Sequence, residues 1–303
     1  MNATPSWPSP QQPSAVREEG AQTAPSTDRS AAAESNCSTF PRLVVLAADS
    51  ASGRYYVREL ERNFDLAAIV WEQSSRKRTL RMVLRRARKL GWFYPFDRML
   101  LGIYARCAMR PAAQASDAWR EEQSARNYQP RCPQLAVTSI NDEAVVGLLQ
   151  QSRPDLVLVW GTSIIRRTVL QAAGCFVNVH AGITPLYRGA HGAFWAAMNN
   201  DQAHLGITLH RVDEGIDTGR ILQQTLVSFD PANDNLLTLA AKQTVAGAQT
   251  AIQWLLEHRL DFATDPGVAP PQGKSKLYYS PGFSDYRRFE RLMRRGRMAD
   301  SHL

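Results

Sequence analysis

Cysteine is scarce and scattered in this chain of 303 residues: Cys37, Cys107, Cys132 and Cys175 stand apart with no CxxC spacing. That pattern argues against a disulfide framework or a thiolate metal site and suits the reduced thiols of a cytoplasmic protein. Long apolar runs are missing as well, and none approaches the ~18 residues that suggest a membrane span. The amino terminus lacks the apolar centre of a secretory leader, because Glu18 and Glu19 interrupt it. No GxGxxG follows the first apolar strand, which removes the usual fingerprint of a dinucleotide dehydrogenase. Large aliphatic side chains are almost lacking from residues 1–40, where Pro, Ser, Ala and Gln dominate. Such a segment cannot bury enough apolar area to offset its ordering entropy, so it reads as a disordered tail.

What remains is ordinary for a soluble globular protein, with 44% hydrophobic and 21% charged residues. The net charge of +8 suggests an anionic partner. Much of that charge sits between Arg76 and Arg110 and again between Arg287 and Arg297, so it says little about the centre of the molecule.

Order is expected from Leu43-Val44-Val45-Leu46, an apolar run that reads as a buried strand. A helix over Tyr56–Phe64 and a second strand over Leu66–Val70 open an α/β domain with a mostly parallel sheet. From Arg76 to about Tyr128 the pattern is helical. Leu80, Val83, Leu84 and Ala87 mark one face and Arg78, Arg81, Arg85 and Arg88 lie on others, up to the aromatic run Trp92–Phe96. This segment is read as a helical insertion between two strands. Strands are then expected at Leu135–Val137, Asp155–Trp160 and Cys175–His180, with helices at Asp142–Gln151, Ile165–Ala173 and His191–Met198. Two extended segments, Gly206–Val212 and Ile221–Val227, flank the loop Asp213–Arg220. Asp234 is predicted to cap a long helix reaching His258. The domain is placed at residues 41–262, followed by an irregular basic extension at 263–303 with a surface helix over Arg287–Arg297.

Two stretches carry chemistry. Asn178 and His180 lie two apart at the end of a buried strand, so their side chains share one face. The carboxyl end of a strand in an open parallel sheet is where ligands bind, and an amide and an imidazole are costly to bury there without a partner. The bland reading is that both hold the following turn. The second stretch, Gly206 to Leu222, is strand, glycine-punctuated loop, strand. Its loop is longer than a simple hairpin, and Ile216 sits between carboxylates.

Asn178-x-His180 followed by Thr184-Pro185-x-Tyr187-Arg188-Gly189, then Gly206-Ile-Thr-x-His210 leading to Asp217-Thr218-Gly219, resembles the folate-dependent formyltransferases. That family includes methionyl-tRNA, glycinamide ribonucleotide and sugar-amine enzymes. The likeness is specific from Asp155 to Leu222 and weaker over Leu43–Val70. It implies a Rossmann-like formyltransferase fold that takes 10-formyltetrahydrofolate as formyl donor, with no metal. Asn178, His180 and Asp217 match the family's catalytic Asn, His and Asp. Trp160, Gly161, Thr162 and Ile164, with Asp213, Gly215 and Ile216, are expected to wall the folate site. Tyr187, Arg188, Gly189 and His191 are expected on the acceptor side. The residue types suit an amine attacking a formyl carbon: Asn178 donates to the developing oxyanion, His180 stabilises charge or moves a proton, and Asp217 raises the imidazole and accepts the amine proton. His210 is left between a structural and a catalytic role.

The Ala181-Gly182-Ile183-Thr184 variant after His180 resembles the branch acting on sugar amines. Ala48–Arg54 offers only a weak phosphate loop, which argues against a glycinamide ribonucleotide acceptor. The expected acceptor is therefore the primary amine of a small molecule, with an amino-sugar nucleotide favoured. Alternatives are glycinamide ribonucleotide formyl transfer, hydrolysis of formyltetrahydrofolate, and a non-catalytic folate- or nucleotide-binding protein. The basic segment Arg76–Arg110 has three readings: a solvated face, a nucleic-acid contact without a recognised motif, and a peripheral membrane-surface contact. Nucleic acid is not the expected partner.

Overall fold

The computed structural model describes residues 40–259, 262 and 265–300. The tail reading therefore lies, but for Phe40, outside the described residues. In chain order the elements are β1 (Leu43–Ala48), α1 (Ala51–Asn63), β2 (Leu66–Glu72), α2 (Arg76–Leu90), α3 (Tyr94–Tyr104), α4 (Arg110–Ala113), α5 (Asp117–Ser124), β3 (Gln134–Val137) and α6 (Glu143–Ser152). They continue as β4 (Leu156–Trp160), α7 (Arg167–Leu170), β5 (Phe176–His180), β6 (Tyr187–Gly189), α8 (Gly192–Met198), β7 (Gly206–Arg211), β8 (Ile221–Leu226), α9 (Leu236–His258), β9 (Lys276–Tyr278) and α10 (Phe283–Asp300).

Seven strands form one sheet in the order β3-β2-β1-β4-β5-β7-β8, and β6 pairs with β9 in a separate two-stranded ribbon. The five strands β3 to β5 run parallel, while β7 and β8 are antiparallel. Continuous Val, Leu and Ile runs in β1, β2 and β4 suit strands covered on both faces, and β1 and β4 are buried along almost their whole length. The strand order reverses between β1 and β4, so a crevice opens at their carboxyl ends, where Ala48 meets Gly161. This is the mostly parallel α/β architecture the sequence predicts.

Helix α9 covers the back of the strands that carry the site. Gly247 is its contact point, because a Cβ there would lie 2.7 Å from Val179 Cγ1 and 2.8 Å from the Trp160 ring. Trp160 in turn stacks on Tyr56 with ring centroids 4.8 Å apart. That dispersion-rich contact anchors the end of β4 in the core.

Three local expectations are corrected. Helix α1 begins at Ala51, not Tyr56, because Ser50 caps it by accepting from Gly53 N at 3.1 Å. Little loop is then left after β1, and Arg54 is committed to Asp49 in a 2.8 Å ion pair. The cap of α9 is Asn235, one residue beyond the predicted Asp234. Its side chain accepts from Leu237 N and Thr238 N, and Thr238 Oγ1 closes the capping box on Asn235 N. Asp234 instead accepts from Thr238 Oγ1 and pairs with Lys242 Nζ at 2.7 Å. The region after Asp265 is not irregular throughout. Strand β9 completes the ribbon with β6, and Tyr286 and Phe289 of α10 are buried against Phe194. Aromatic side chains in a stretch dense with Pro, Gly and Tyr hid this packing from a periodicity reading.

Candidate active site

The antiparallel pairing of β7 with β5 builds the site. It sets Asn178 directly opposite His210 and His180 opposite Thr208. Cross-strand partners on one face lie about 5 Å apart at Cβ, close enough for direct side-chain bonding. His210 Nδ1 lies 2.8 Å from the Arg211 carbonyl, which can only accept, so that nitrogen carries the proton. In the neutral ring Nε2 is then an acceptor, and it takes a proton of Asn178 Nδ2 at 3.1 Å. Its distance to Asp217 Oδ1, 3.7 Å, is too long to compete. His210 therefore orients the Asn178 amide, using one of its two N–H groups.

His180 is almost fully buried. Its Nε2 sits 2.8 Å from the Tyr187 carbonyl, so Nε2 also carries a proton. Nδ1 faces Asp217 Oδ2 at 3.4 Å. Burial pushes the imidazole below its ordinary pKa, against the opposing pull of Asp217. Burial alone would raise Asp217, but His180, His210 and the Gly189 N–H hold its carboxyl down at about 2. The Gly189 bond to Oδ2 is 2.8 Å. At neutral pH the pair is thus a carboxylate facing an imidazole lone pair. Two acceptors confront each other, one proton short of a charge-assisted hydrogen bond.

The backbone around this pair is fixed from behind. Asp217 sits at φ 52, a left-handed conformation. Gly189, at φ +95, approaches Tyr278 so closely that a Cβ would lie 2.2 Å from its carbonyl oxygen. Thr208 Oγ1 donates to the Gly182 carbonyl at 2.8 Å and accepts from Thr184 N at 3.0 Å, tying β7 to the turn after His180. Gly182 is required there, since a Cβ would stand 2.3 Å from the Tyr187 carbonyl and 2.8 Å from His180 Nε2.

The expected cofactor wall is also held in place. Glu72, a buried carboxylate at the end of β2, accepts from Ser163 N and Ser163 Oγ at 2.6 Å and from Ile140 N at 2.9 Å. Asn141 clamps the same segment, donating to the Ile164 carbonyl and accepting from Arg166 N. Ile164 is left exposed, as is Ile216 across the crevice. Arg167 and Glu214 come within 3.6 Å, so the two loops are neighbours. Both groups are largely exposed, and such a pair marks proximity more than it adds stability. Trp160 contributes only backbone here, because its ring is in the core. Gly161, at φ +64, lies against Ala48, where a Cβ would stand 3.7 Å from the Ala48 Cβ, and Thr162 follows it. Asp213 is used within its own loop, accepting from Gly215 N and Thr218 Oγ1.

On the acceptor side the side chains divide. The Tyr187 ring is buried, stacked on Tyr278, with its hydroxyl donating to Asp201 at 2.8 Å. Its place is structural, and only its carbonyl reaches the site. Arg188 donates through Nη1 to the Ile216 carbonyl at 3.2 Å, while its buried Nε has no partner. His191 stands just before α8 at φ 59, and burial, with Arg98 and Arg86 nearby, pushes it down to about 4.

Sequence reasoning missed Glu72, Asn141 and Thr208 and left His210 open. A glutamate ending an otherwise apolar strand was the one signal available for the first.

A sequence model of the formyl transferase family matches residues 108–255. The methionyl-tRNA formyltransferase of Thermodesulfovibrio yellowstonii is 32% identical over 146 residues, 47% of this chain and 44% of the relative. That of Caldicellulosiruptor saccharolyticus is 33% identical over 162 residues, 50% of this chain and 51% of the relative. The chain spans about half the length of the curated relatives it matches. Among solved structures, glycinamide ribonucleotide transformylase 1 from Symbiobacterium toebii aligns with a TM-score of 0.48 at 16% identity, covering 80% of this chain and 96% of that one. The matched segment runs from the helical insertion through β5, β7 and most of α9, and it contains Asn178, His180, His210 and Asp217. Over residues 108–255, just under half of its length, the chain is therefore similar to the formyl transferase family.

Proposed function

We propose that this chain transfers a formyl group from 10-formyltetrahydrofolate to the primary amine of a small molecule, with an amino-sugar nucleotide as the favoured acceptor. The observation that carries the reading is the proton-deficient His180–Asp217 pair beside the oriented Asn178 amide. Bound 10-formyltetrahydrofolate supplies a formyl group already activated as an acyl on nitrogen. The residues present fit such a ligand. The backbone at Gly161 and the exposed Ile164 and Ile216 offer backbone groups and apolar cover to a flat heteroaromatic ring, and Glu72 and Asn141 hold the 163–166 segment.

Each residue then has a task. In this reading the second N–H of Asn178 donates to the formyl oxygen as negative charge develops on it, a role worth about 3–4 kcal/mol in acyl-transfer sites. The Nδ1 and Oδ2 acceptors receive the proton that an attacking amine must lose. Its arrival turns a repulsive contact into a charge-assisted hydrogen bond, and His180 can return the proton to the leaving nitrogen. Arg188, whose Nη1 donates to the Ile216 carbonyl, is in this reading the cation that meets an anionic group of the acceptor.

The test is an acceptor panel read by mass, in which formylation adds one carbonyl. It includes amino-sugar nucleotides, glycinamide ribonucleotide and methionyl-tRNA, the acceptor named for the curated relatives. Formylation of an amino-sugar nucleotide is the expected result. Formylation of methionyl-tRNA alone removes the small-molecule reading, and formate release without any acceptor promotes a hydrolase.

A further inference from the structure

The segment Arg76–Arg110 holds eleven Lys and Arg and a single acid, Asp97, a net +10 against +8 for the whole chain. Asp97 is committed elsewhere, accepting from Ser284 N and Ser284 Oγ at 2.9 and 2.8 Å. Arg81, Arg85 and Arg88 are exposed and make no ion pair among the described residues. The same segment holds nine of the fifteen large apolar side chains exposed among the described residues. On α2, Leu80 and Leu84 stand exposed one turn apart, beside the arginines at 81, 85 and 88. On α3, Phe96, Met99 and Ile103 form an exposed i, i+3, i+7 stripe, opposite the packed Leu101. The two helices pack on each other. Gly91, at φ +100 with nothing around it, turns the chain between them, and at that corner Trp92 and Phe93 are 74% and 81% exposed.

Exposed apolar surface on this scale marks a binding face. Three kinds of occupant are distinguishable. A second copy of the chain would bring two net-positive faces together. A nucleic acid would use the arginines and aromatics but leave the Leu, Met and Ile stripes without a partner. An anionic bilayer uses all of it: aliphatic stripes and corner aromatics enter the headgroup region, and arginines beside them reach lipid phosphates. We propose that the α2–α3 hairpin is a peripheral docking element for anionic membrane surfaces, with Trp92 and Phe93 as its leading edge. This inference does not depend on the formyl-transfer reading.

The test uses the full chain and sedimentation with vesicles of phosphatidylcholine alone or with about 30% phosphatidylglycerol. Binding is expected on the anionic vesicles and little on the neutral ones, and about 0.5 M salt should release it. Arg81→Ser/Arg85→Ser/Arg88→Ser should lower partitioning about 100-fold, each cation near an anionic surface giving about fivefold. Trp92→Ser/Phe93→Ser should lower it at least about tenfold without changing the melting temperature, because both side chains are exposed. Brominated lipid should quench tryptophan emission in the wild type, and Trp92→Phe should keep binding while losing most of that quenching. The proposal is overturned by any of four results: no preference for anionic vesicles, unchanged binding in both multiple variants, lipid-free dimerisation that Trp92→Ser/Phe93→Ser abolishes, or displacement from vesicles by bulk tRNA through the same residues.

Discussion

Asp217 meets His180, His210 and the Gly189 N–H at once, so a single substitution there separates charge from shape. Asp217→Asn keeps the acceptor for Gly189 but removes the charge. Turnover should fall about 100- to 10,000-fold with donor binding retained, because the proton acceptor is lost while the loop is not. The pH dependence has a defined sign. His180 is depressed, so the acid limb of kcat/KM lies below pH 6.5, the ordinary histidine value. Asp217 pulls that imidazole up, so the limb of the residual activity in the variant should move lower still. The carboxyl falls from 3.8 to about 2 on folding. It therefore contributes about 2 kcal/mol that is present above pH 3.8 and lost as pH drops toward 2. Melting curves of wild type and Asp217→Asn should differ at pH 6, draw together as pH falls through 3, and converge only below about pH 2. Equal turnover, or curves that stay apart, would remove Asp217 from the proposed mechanism. The three residues read from the sequence do stand together. His210 was ambiguous there because its role depends on the β5–β7 register, and no local pattern encodes which strand an antiparallel edge joins.

At the scale of elements, most strands and helices were legible because apolar periods of two or continuous β-branched runs decide them. The shifts were chemical and local. Ser50 began α1 early, and Asn235 outcompeted Asp234 as cap because its side chain reaches two amides at once. The rigidity of the crevice wall was not legible, since Glu72 and Ser163 lie 91 positions apart and a lone glutamate carries no period. Glu72→Gln places an amide group against donors that need an acceptor, a cost of about 1–3 kcal/mol. It should raise the KM for 10-formyltetrahydrofolate by tenfold or more while kcat changes little, because the 161–165 segment loosens and the His180–Asp217 pair does not. A fall in kcat at unchanged KM would mean that this wall does not hold the donor.

For the whole molecule, the mostly parallel sheet followed from the alternation of strands and helices, whereas the strand order did not. The reversal between β1 and β4 sets where a ligand can enter, and the antiparallel edge sets which side chains meet there. Charge was legible as a local excess at Arg76–Arg110, but its meaning required the exposed apolar stripes beside it. Among the described residues no helix is long and apolar enough to cross a membrane, which is compatible with surface docking through the hairpin. The measurement that bears most directly on the central claim is release of tetrahydrofolate from 10-formyltetrahydrofolate by the purified full chain, followed with and without an amine acceptor. The account predicts release that requires both chain and amine, and near-complete loss in His180→Ala. Failure to bind any folate analogue, or release at the same rate with no amine present, would contradict it.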